Sequence, residues 1–139
     1  MNGVANGLYG GDLPNQINTP WIDFSEQSTI VGWSVYTVKI IRYKVVGKIL
    51  IVNFTISGTS NSTTTSFTIP FNAGNLNANN LSNIIRGTNS GSSVIAWAIF
   101  TSGSNILTHS YMSTYGTVTS TWTASGTKFI TGQYIIEID

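Results

Sequence analysis

The sequence predicts an all-β domain, an antiparallel β-sandwich of jelly-roll-like form with about seven or eight short strands. Ser, Thr and Asn make up 50 of the 139 residues, and these residue types favour strands and turns over helices. Apolar and polar residues alternate with a period of two in several short runs. Turns rich in Gly, Ser and Asn separate the runs, and no stretch keeps a helical periodicity.

The first twenty residues differ in composition from the rest of the chain. Residues 1–20 are rich in Gly and Asn and contain Pro14 and Pro20, which is typical of an extended arm or linker. They show neither a basic start nor an apolar stretch, so no secretion signal is expected. Either a disordered tail or an arm that lies on a neighbouring subunit fits this composition. Residues 21–139 are predicted to form the sandwich domain.

The clearest strand pair is a hairpin in the first half of the domain. Two β-branched runs, Val38–Val46 and Ile49–Gly58, flank the two-residue turn Gly47-Lys48. The second run alternates with period two, so one of its faces should be buried. The residues predicted for that buried face are Leu50, Val52, Phe54 and Ile56.

Further strands follow at short intervals, separated by turn and loop sequences. Pro70 should end the first of them, Ser102–Asn105 should form a turn, and the Asn-rich stretch Asn72–Asn83 should be a loop. The predicted strands are Ser66–Ile69, Ser93–Thr101, Ile106–Met112, Gly116–Thr123 and Lys128–Ile138.

One of these strands, Ser93–Thr101, is apolar on both faces. A sheet in a sandwich buries one face of each strand, so the second face needs a covering loop or a neighbouring subunit. Ala96 and Ala98 lie on one face, and Trp97 on the other looks buried. If a subunit covers the strand, the predicted oligomer contacts are Val94, Ile95, Trp97, Ile99 and Phe100.

Charge and cysteine content exclude several classes of function. Charged residues are 8% of the chain, the net charge is +1 and there is no Cys. Such a chain has no strong positive electrostatic field to attract nucleic acid or an anionic membrane. No apolar run is long enough for a membrane span. We therefore expect no nucleic-acid partner, no membrane insertion, no disulfide, no metal and no cofactor. Few charges also mean little repulsion between copies of the chain.

The chain offers few groups for catalysis. His109 is the only histidine, and it shares a predicted strand face with Leu107 and Tyr111, which indicates a packed side chain. Asp23 and Glu26 are close in sequence and could form the carboxylate pair of a glycan hydrolase. Two acids near a strand start are more often solvated, so we predict a protein that is not an enzyme.

Basic and aromatic residues provide the candidate ligand-binding positions. Arg42 and Lys44 are two residues apart and so share a face, and Lys39 lies nearby. They could form an anion patch, or keep a strand face soluble. Trp33 follows a glycine and Trp122 lies between threonines, so either could be exposed and stack on a sugar. Burial in the core or at a trimer axis is the alternative for both tryptophans.

Two stretches resemble the C-terminal modules of bacteriophage tail fibres and related virion proteins. The first, Tyr36–Pro70, has a basic strand, a V-G-K turn, an apolar strand, an I-S-G-T-S exit and a Thr-rich strand. The second reads STWTASGTKFITGQYIIEI. The resemblance covers residues 30–138 and implies a β-sandwich or jelly roll, trimeric assembly, and attachment to a host surface or capsid. It supplies no binding residues.

These observations lead us to expect a non-enzymatic phage virion protein. It would be a receptor-binding fibre tip or a capsid decoration protein, made in the host cytoplasm and exposed on the virion surface. The absence of a shaft before the module favours a decoration protein. We expect a homotrimer that contacts other virion proteins through the arm and binds a host-surface glycan. A free, lectin-like carbohydrate-binding module is the alternative, and a trimeric mass would distinguish the two.

Overall fold

A computed structural model describes residues 18–74, 84–112, 118–119 and 121–138. Within these ranges the chain forms strands, turns and loops and has no helix. The strands are β1 (Ile22–Asp23), β2 (Ile30–Val31), β3 (Trp33–Val46), β4 (Ile49–Ser60), β5 (Ser66–Thr68), β6 (Ile85–Asn89), β7 (Ser92–Ile99), β8 (Ile106–Met112), β9 (Val118–Thr119) and β10 (Thr127–Glu137).

The ten strands belong to one antiparallel sheet that curls into a half-barrel. Its order is β1-β3-β4-β10-β6-β7-β8-β5-β2, and β9 pairs with β8. Phe54 on β4 lies 5.0 Å from Phe67 on β5, measured between ring centroids, although four strands separate them in the sheet. The curl therefore encloses the core on its inner face. The predicted all-β antiparallel class is confirmed, whereas a jelly-roll sandwich is not.

The long hairpin of β3 and β4 confirms the strongest sequence prediction. Val46 pairs with Ile49 across the turn Gly47-Lys48, and Gly47 has a φ of +60°. A positive φ at the first of two turn residues is typical of a type II′ turn, which needs glycine there. The four residues predicted for the buried face, Leu50, Val52, Phe54 and Ile56, are completely buried.

Irregular pairing near the start of β3 helps the sheet to curl. The register shifts between Trp33 and Val35 and again between Tyr36 and Val38, and such bulges increase local twist. Gly58 lies opposite, with a φ of +155°, and any Cβ there would collide with the Val35 carbonyl oxygen. Glycine is required at this position because both the backbone angle and the close approach exclude a side chain.

Strand β6, which joins β10 to β7, is not among the predicted strands. It forms a hairpin with β7 in which Asn89 pairs with Ser92. The turn residues Ser90 and Gly91 have φ values of 49° and 85°, as in a type I′ turn. β6 is short and contains Gly87, so its sequence has little of the alternation that indicates a strand.

The other strand and turn predictions have mixed outcomes. Ile106–Met112 is confirmed, the turn before it is observed, and the last strand begins one residue earlier than predicted. Of the predicted strand Gly116–Thr123, the structure describes residues 118–119 and 121–123. Residues 118–119 form β9, whereas Trp122 and Thr123 are not in a strand. Residues 75–83 of the predicted loop lie outside the described residues.

The predicted arm is described only from Asn18 to Pro20. Asn18 forms a bridge with Val46, and the Thr19 backbone N–H donates to the Val45 carbonyl oxygen at 2.9 Å. The Val45 N–H donates in return to the Thr19 hydroxyl at 2.8 Å. These residues therefore extend the edge that β1 forms along β3. Residues 1–17, which form most of the predicted arm, lie outside the described residues.

Candidate functional site

Of the two possibilities left open for Trp33 and Trp122, burial in the core is the one observed, so their assignment as surface ligand-binding residues is wrong. Trp33 is 5% exposed and Trp122 is 1% exposed. The Trp33 indole N–H donates to the Lys128 carbonyl oxygen at 3.1 Å, and the Trp122 indole N–H donates to the His109 carbonyl oxygen at 2.8 Å. Neither ring can therefore serve as a surface platform for a sugar.

The two indoles enclose the Lys128 ammonium group. Lys128 Nζ lies 5.2 Å from the centroid of the Trp33 ring and 5.6 Å from that of Trp122. It also donates to the Ser62 carbonyl oxygen at 2.9 Å. Two cation–π contacts and one hydrogen bond thus stabilise a buried charge. Burial still lowers the pKa of Lys128 to about 8.

Lys128 is not among the predicted site residues, although strand alternation indicates that its side chain points inward. On β10 Lys128 has the same parity as Ile130 and Tyr134, both of which are completely buried. Gly32 leaves room for the ammonium group, since a Cβ there would lie 3.1 Å from Nζ. The lysine is thus part of the interior, where its ammonium group contacts both buried tryptophans.

The three predicted basic residues do not form one patch. Arg42 and Lys44 share the outer face of β3, as predicted, because Ile41 and Val45, which flank the pair in the sequence, are buried on the inner face. Lys39 lies on the opposite face, since it pairs in register with Ile56. Its ammonium group forms an ion pair with Glu26 at 3.2 Å and lies 5.7 Å from the Tyr36 ring centroid. Lys39 is therefore not available to the predicted anion patch.

A row of polar residues crosses the outer face from β1 to β10. Asp23 is opposite Arg42, Arg42 is opposite Asn53, and Asn53 is opposite Gln133. Trp21 lies beside this row, with its ring centroid 5.4 Å from the Arg42 guanidinium carbon. Trp21 is 43% exposed. The exposed tryptophan beside the polar row is thus Trp21, which is not among the predicted ligand-binding residues.

The acids Asp23 and Glu26 have different environments. The Ser25 hydroxyl and backbone N–H both donate to one Asp23 oxygen, at 2.6 and 2.9 Å. These hydrogen bonds lower the pKa of Asp23, so its carboxyl group is ionised at neutral pH. Glu26 is 82% exposed at its side chain and pairs with Lys39. The general acid of a glycosidase needs a raised pKa, which Asp23 does not have.

His109 is a packed core residue, as predicted. It is 1% exposed and stacks on Phe67 with a centroid separation of 5.2 Å. Burial lowers its pKa to about 4. Its Nε2 atom has no hydrogen-bond partner among the described residues. The same holds for two buried hydroxyl oxygens, Thr65 Oγ1 and Tyr134 Oη. The imidazole is therefore neutral at physiological pH and is sealed from solvent.

The predicted oligomer contacts on β7 divide between the two faces. Phe100 is 4% exposed and meets Tyr134 edge-on at 5.7 Å, and Val94 packs against the core. These two residues belong to the interior, so their assignment as subunit contacts is wrong. On the outer face Ile95 is 53% exposed, and Trp97 and Ile99 are partly buried. Trp97 is expected from the sequence to be buried, so that expectation is met only in part. The outer face alone could contact another subunit.

Comparison with family models, curated protein sequences and solved structures gives no match. In the part of the chain that the structure describes, no helix is long and apolar enough to cross a membrane. Nor do three or more His, Asp or Glu side chains come together there as a metal-binding group.

Proposed function

We propose that this chain is a non-enzymatic virion protein that acts by presenting the outer face of its sheet. It would be a fibre-tip receptor-binding module or a capsid decoration protein on the virion surface. The observation that carries the proposal is the contrast between the faces. The inner face holds one closed core, whereas the outer face exposes large isoleucines among amides and hydroxyls. Exposed isoleucines on the outer face include Ile40, Ile95, Ile106 and Ile135.

The virion setting rests on the resemblance of residues 30–138 to phage fibre and decoration modules. We propose that the arm, residues 1–20, attaches such a module to other virion proteins. The low charge of the chain is consistent with close packing in an assembly of this kind. A chain with 8% charged residues relies on neutral polar groups for solubility and packs closely against copies of itself at small electrostatic cost.

Self-association into a homotrimer would use the outer face of β7. Ile95, Trp97 and Ile99 alternate with core residues and point away from the interior. Contiguous apolar side chains on a surface usually mark an interaction site. We assign these three residues to the subunit contact.

A free carbohydrate-binding module is the second candidate function, favoured by the exposed indole of Trp21 beside Arg42. It differs from the first in assembly, because a free module needs no subunit contact on β7. A hydrolase using Asp23 and Glu26 is disfavoured because Asp23 is ionised, which leaves Glu26 as the general acid, and Glu26 is 82% exposed and ion-paired with Lys39.

Light scattering and sedimentation of the pure protein test the assembly. We expect a trimer at micromolar concentration and a monomer for Ile95→Lys, because a charge cannot be buried at the contact without a partner. Val35→Lys is the matched control, since Val35 is 62% exposed and lies on β3, four strands away in the sheet order. It should stay trimeric. A monomeric wild type, or a trimer unaffected by Ile95→Lys, contradicts the proposed contact.

A further inference from the structure

We propose that the polar row on the outer face, with Trp21 beside it, binds a glycan that carries carboxylate or phosphate groups. The row consists of Asp23, Arg42, Asn53 and Gln133. This inference rests on the proposed function, which makes the outer face the presented surface, and it names the ligand of that surface.

The geometry of the row suits an extended chain of sugars. Its four residues come from four neighbouring strands in continuous register. Adjacent strands are about 4.8 Å apart, so the row is about 14 Å long. A row fixed on paired strands keeps a constant spacing between the backbone positions of its hydrogen-bonding residues, because the sheet register sets them.

The charges of the row favour an anion over a neutral sugar. Among the described residues, no carboxylate lies within ion-pair distance of Arg42. A guanidinium group offers parallel N–H donors that match a carboxylate or phosphate. Lys44 adds a second positive charge on the same face of β3. The one acid in the row, Asp23, already accepts two hydrogen bonds from Ser25 at one oxygen, which leaves the other oxygen for sugar hydroxyls.

Trp21 provides the apolar part of the site. The Arg42 guanidinium carbon lies 5.4 Å from the centroid of the Trp21 ring. Trp21 nevertheless remains 43% exposed. An indole held in place by a guanidinium group is a preorganised platform for the C–H face of a sugar ring. Trp33 and Trp122 cannot take this role, because both are buried.

Isothermal titration with three probes tests the site. Hexagalacturonate supplies carboxylates, a glycerol phosphate hexamer supplies phosphates, and maltohexaose is the neutral probe of similar length. We expect the full chain to bind at least one anionic probe and to bind maltohexaose at least tenfold more weakly. The stronger of the two anionic probes identifies the charged group. Arg42→Gln and Trp21→Ala should each weaken binding of that probe by about tenfold or more, with unchanged thermal melting.

Arg86→Gln is the matched control for Arg42→Gln. Arg86 is also exposed on the sheet and also lies over an aromatic ring, 5.9 Å from the Phe129 centroid, but it is on β6 beyond the row. It should change the affinity less than twofold. Equal losses for both arginines, equal affinity for the neutral probe, or no binding to any probe overturns the inference. The oligomeric mass is measured separately, so a trimer without binding refutes only this site, and a monomer that binds refutes only the proposed assembly.

Discussion

The Lys128 ammonium nitrogen lies 5.2 Å from the centroid of the Trp33 ring, and the Trp33 indole N–H donates to the Lys128 carbonyl oxygen at 3.1 Å. The two residues are 95 positions apart in the chain. The Trp33 indole therefore contacts both the ammonium group and the backbone carbonyl of Lys128. Trp122 closes the other side of the ammonium group, and the resulting cluster ties the beginning of β3 to the beginning of β10.

The buried Lys128 should make stability rise with alkaline pH. Its pKa in the folded protein is about 8, against an ordinary value of 10.5, so between these pH values the unfolded chain binds more protons. Stability then increases as pH rises from 8 to 10.5, by at most about 3 kcal/mol. Urea unfolding across this range should show the increase in wild type and in Lys48→Met, whose lysine is exposed in a turn. Lys128→Met should lack it, and an unchanged pH dependence would contradict a buried ammonium group.

The buried His109 should make stability fall with acid. Its folded pKa is about 4, against 6.5 for the free side chain, so the unfolded chain binds more protons between these values. As pH falls from 6.5 to 4 the wild type should lose about 3 kcal/mol of stability through this residue. His109→Phe keeps an aromatic ring against Phe67 and cannot titrate. Urea unfolding of the two proteins should diverge over this pH range, and parallel curves would show that the imidazole is not buried.

Neighbouring residues on β4 should differ sharply in their contribution to stability. Phe54 is completely buried and lies 4.9 Å from Tyr134 between ring centroids, so Phe54→Ala should cost about 3–5 kcal/mol. Thr55 is on the outer face, where its hydroxyl shares a 2.8 Å hydrogen bond with that of Thr131. Thr55→Ala should cost about 1 kcal/mol. Similar losses in urea unfolding would mean that the two faces of β4 are assigned wrongly.

The parts of the fold that follow from local alternation could be predicted from the sequence. The β3–β4 hairpin is such a part, because its register depends on period-two burial and a glycine turn. β6 could not be predicted in the same way, since Ile85–Asn89 contains only one large apolar residue and is a strand because β10 and β7 pair with both of its edges.

The exposure of the tryptophans depends on residues that are distant in the sequence. Trp33 and Trp122 are buried around Lys128, and the sequence next to either tryptophan gives no sign of this contact. Trp21, the exposed one, becomes significant only when the pairing of β1 with β3 places it against Arg42. The pair Arg42 and Lys44 could be predicted, because two positions in one strand share a face whatever the topology.

The position of β10 between β4 and β6 has a consequence for synthesis on the ribosome. β3 and β4 are synthesised early, and β6, β7 and β8 are synthesised later. Neither group can pair with β10, the strand that joins them, until translation passes Glu137. Until then, each nascent half-sheet keeps an open edge that can pair with another chain. Closure joins segments far apart in sequence, which slows folding. A chain truncated shortly before residue 127 would thus keep two unpaired strand edges. Truncated products of this chain should therefore aggregate readily.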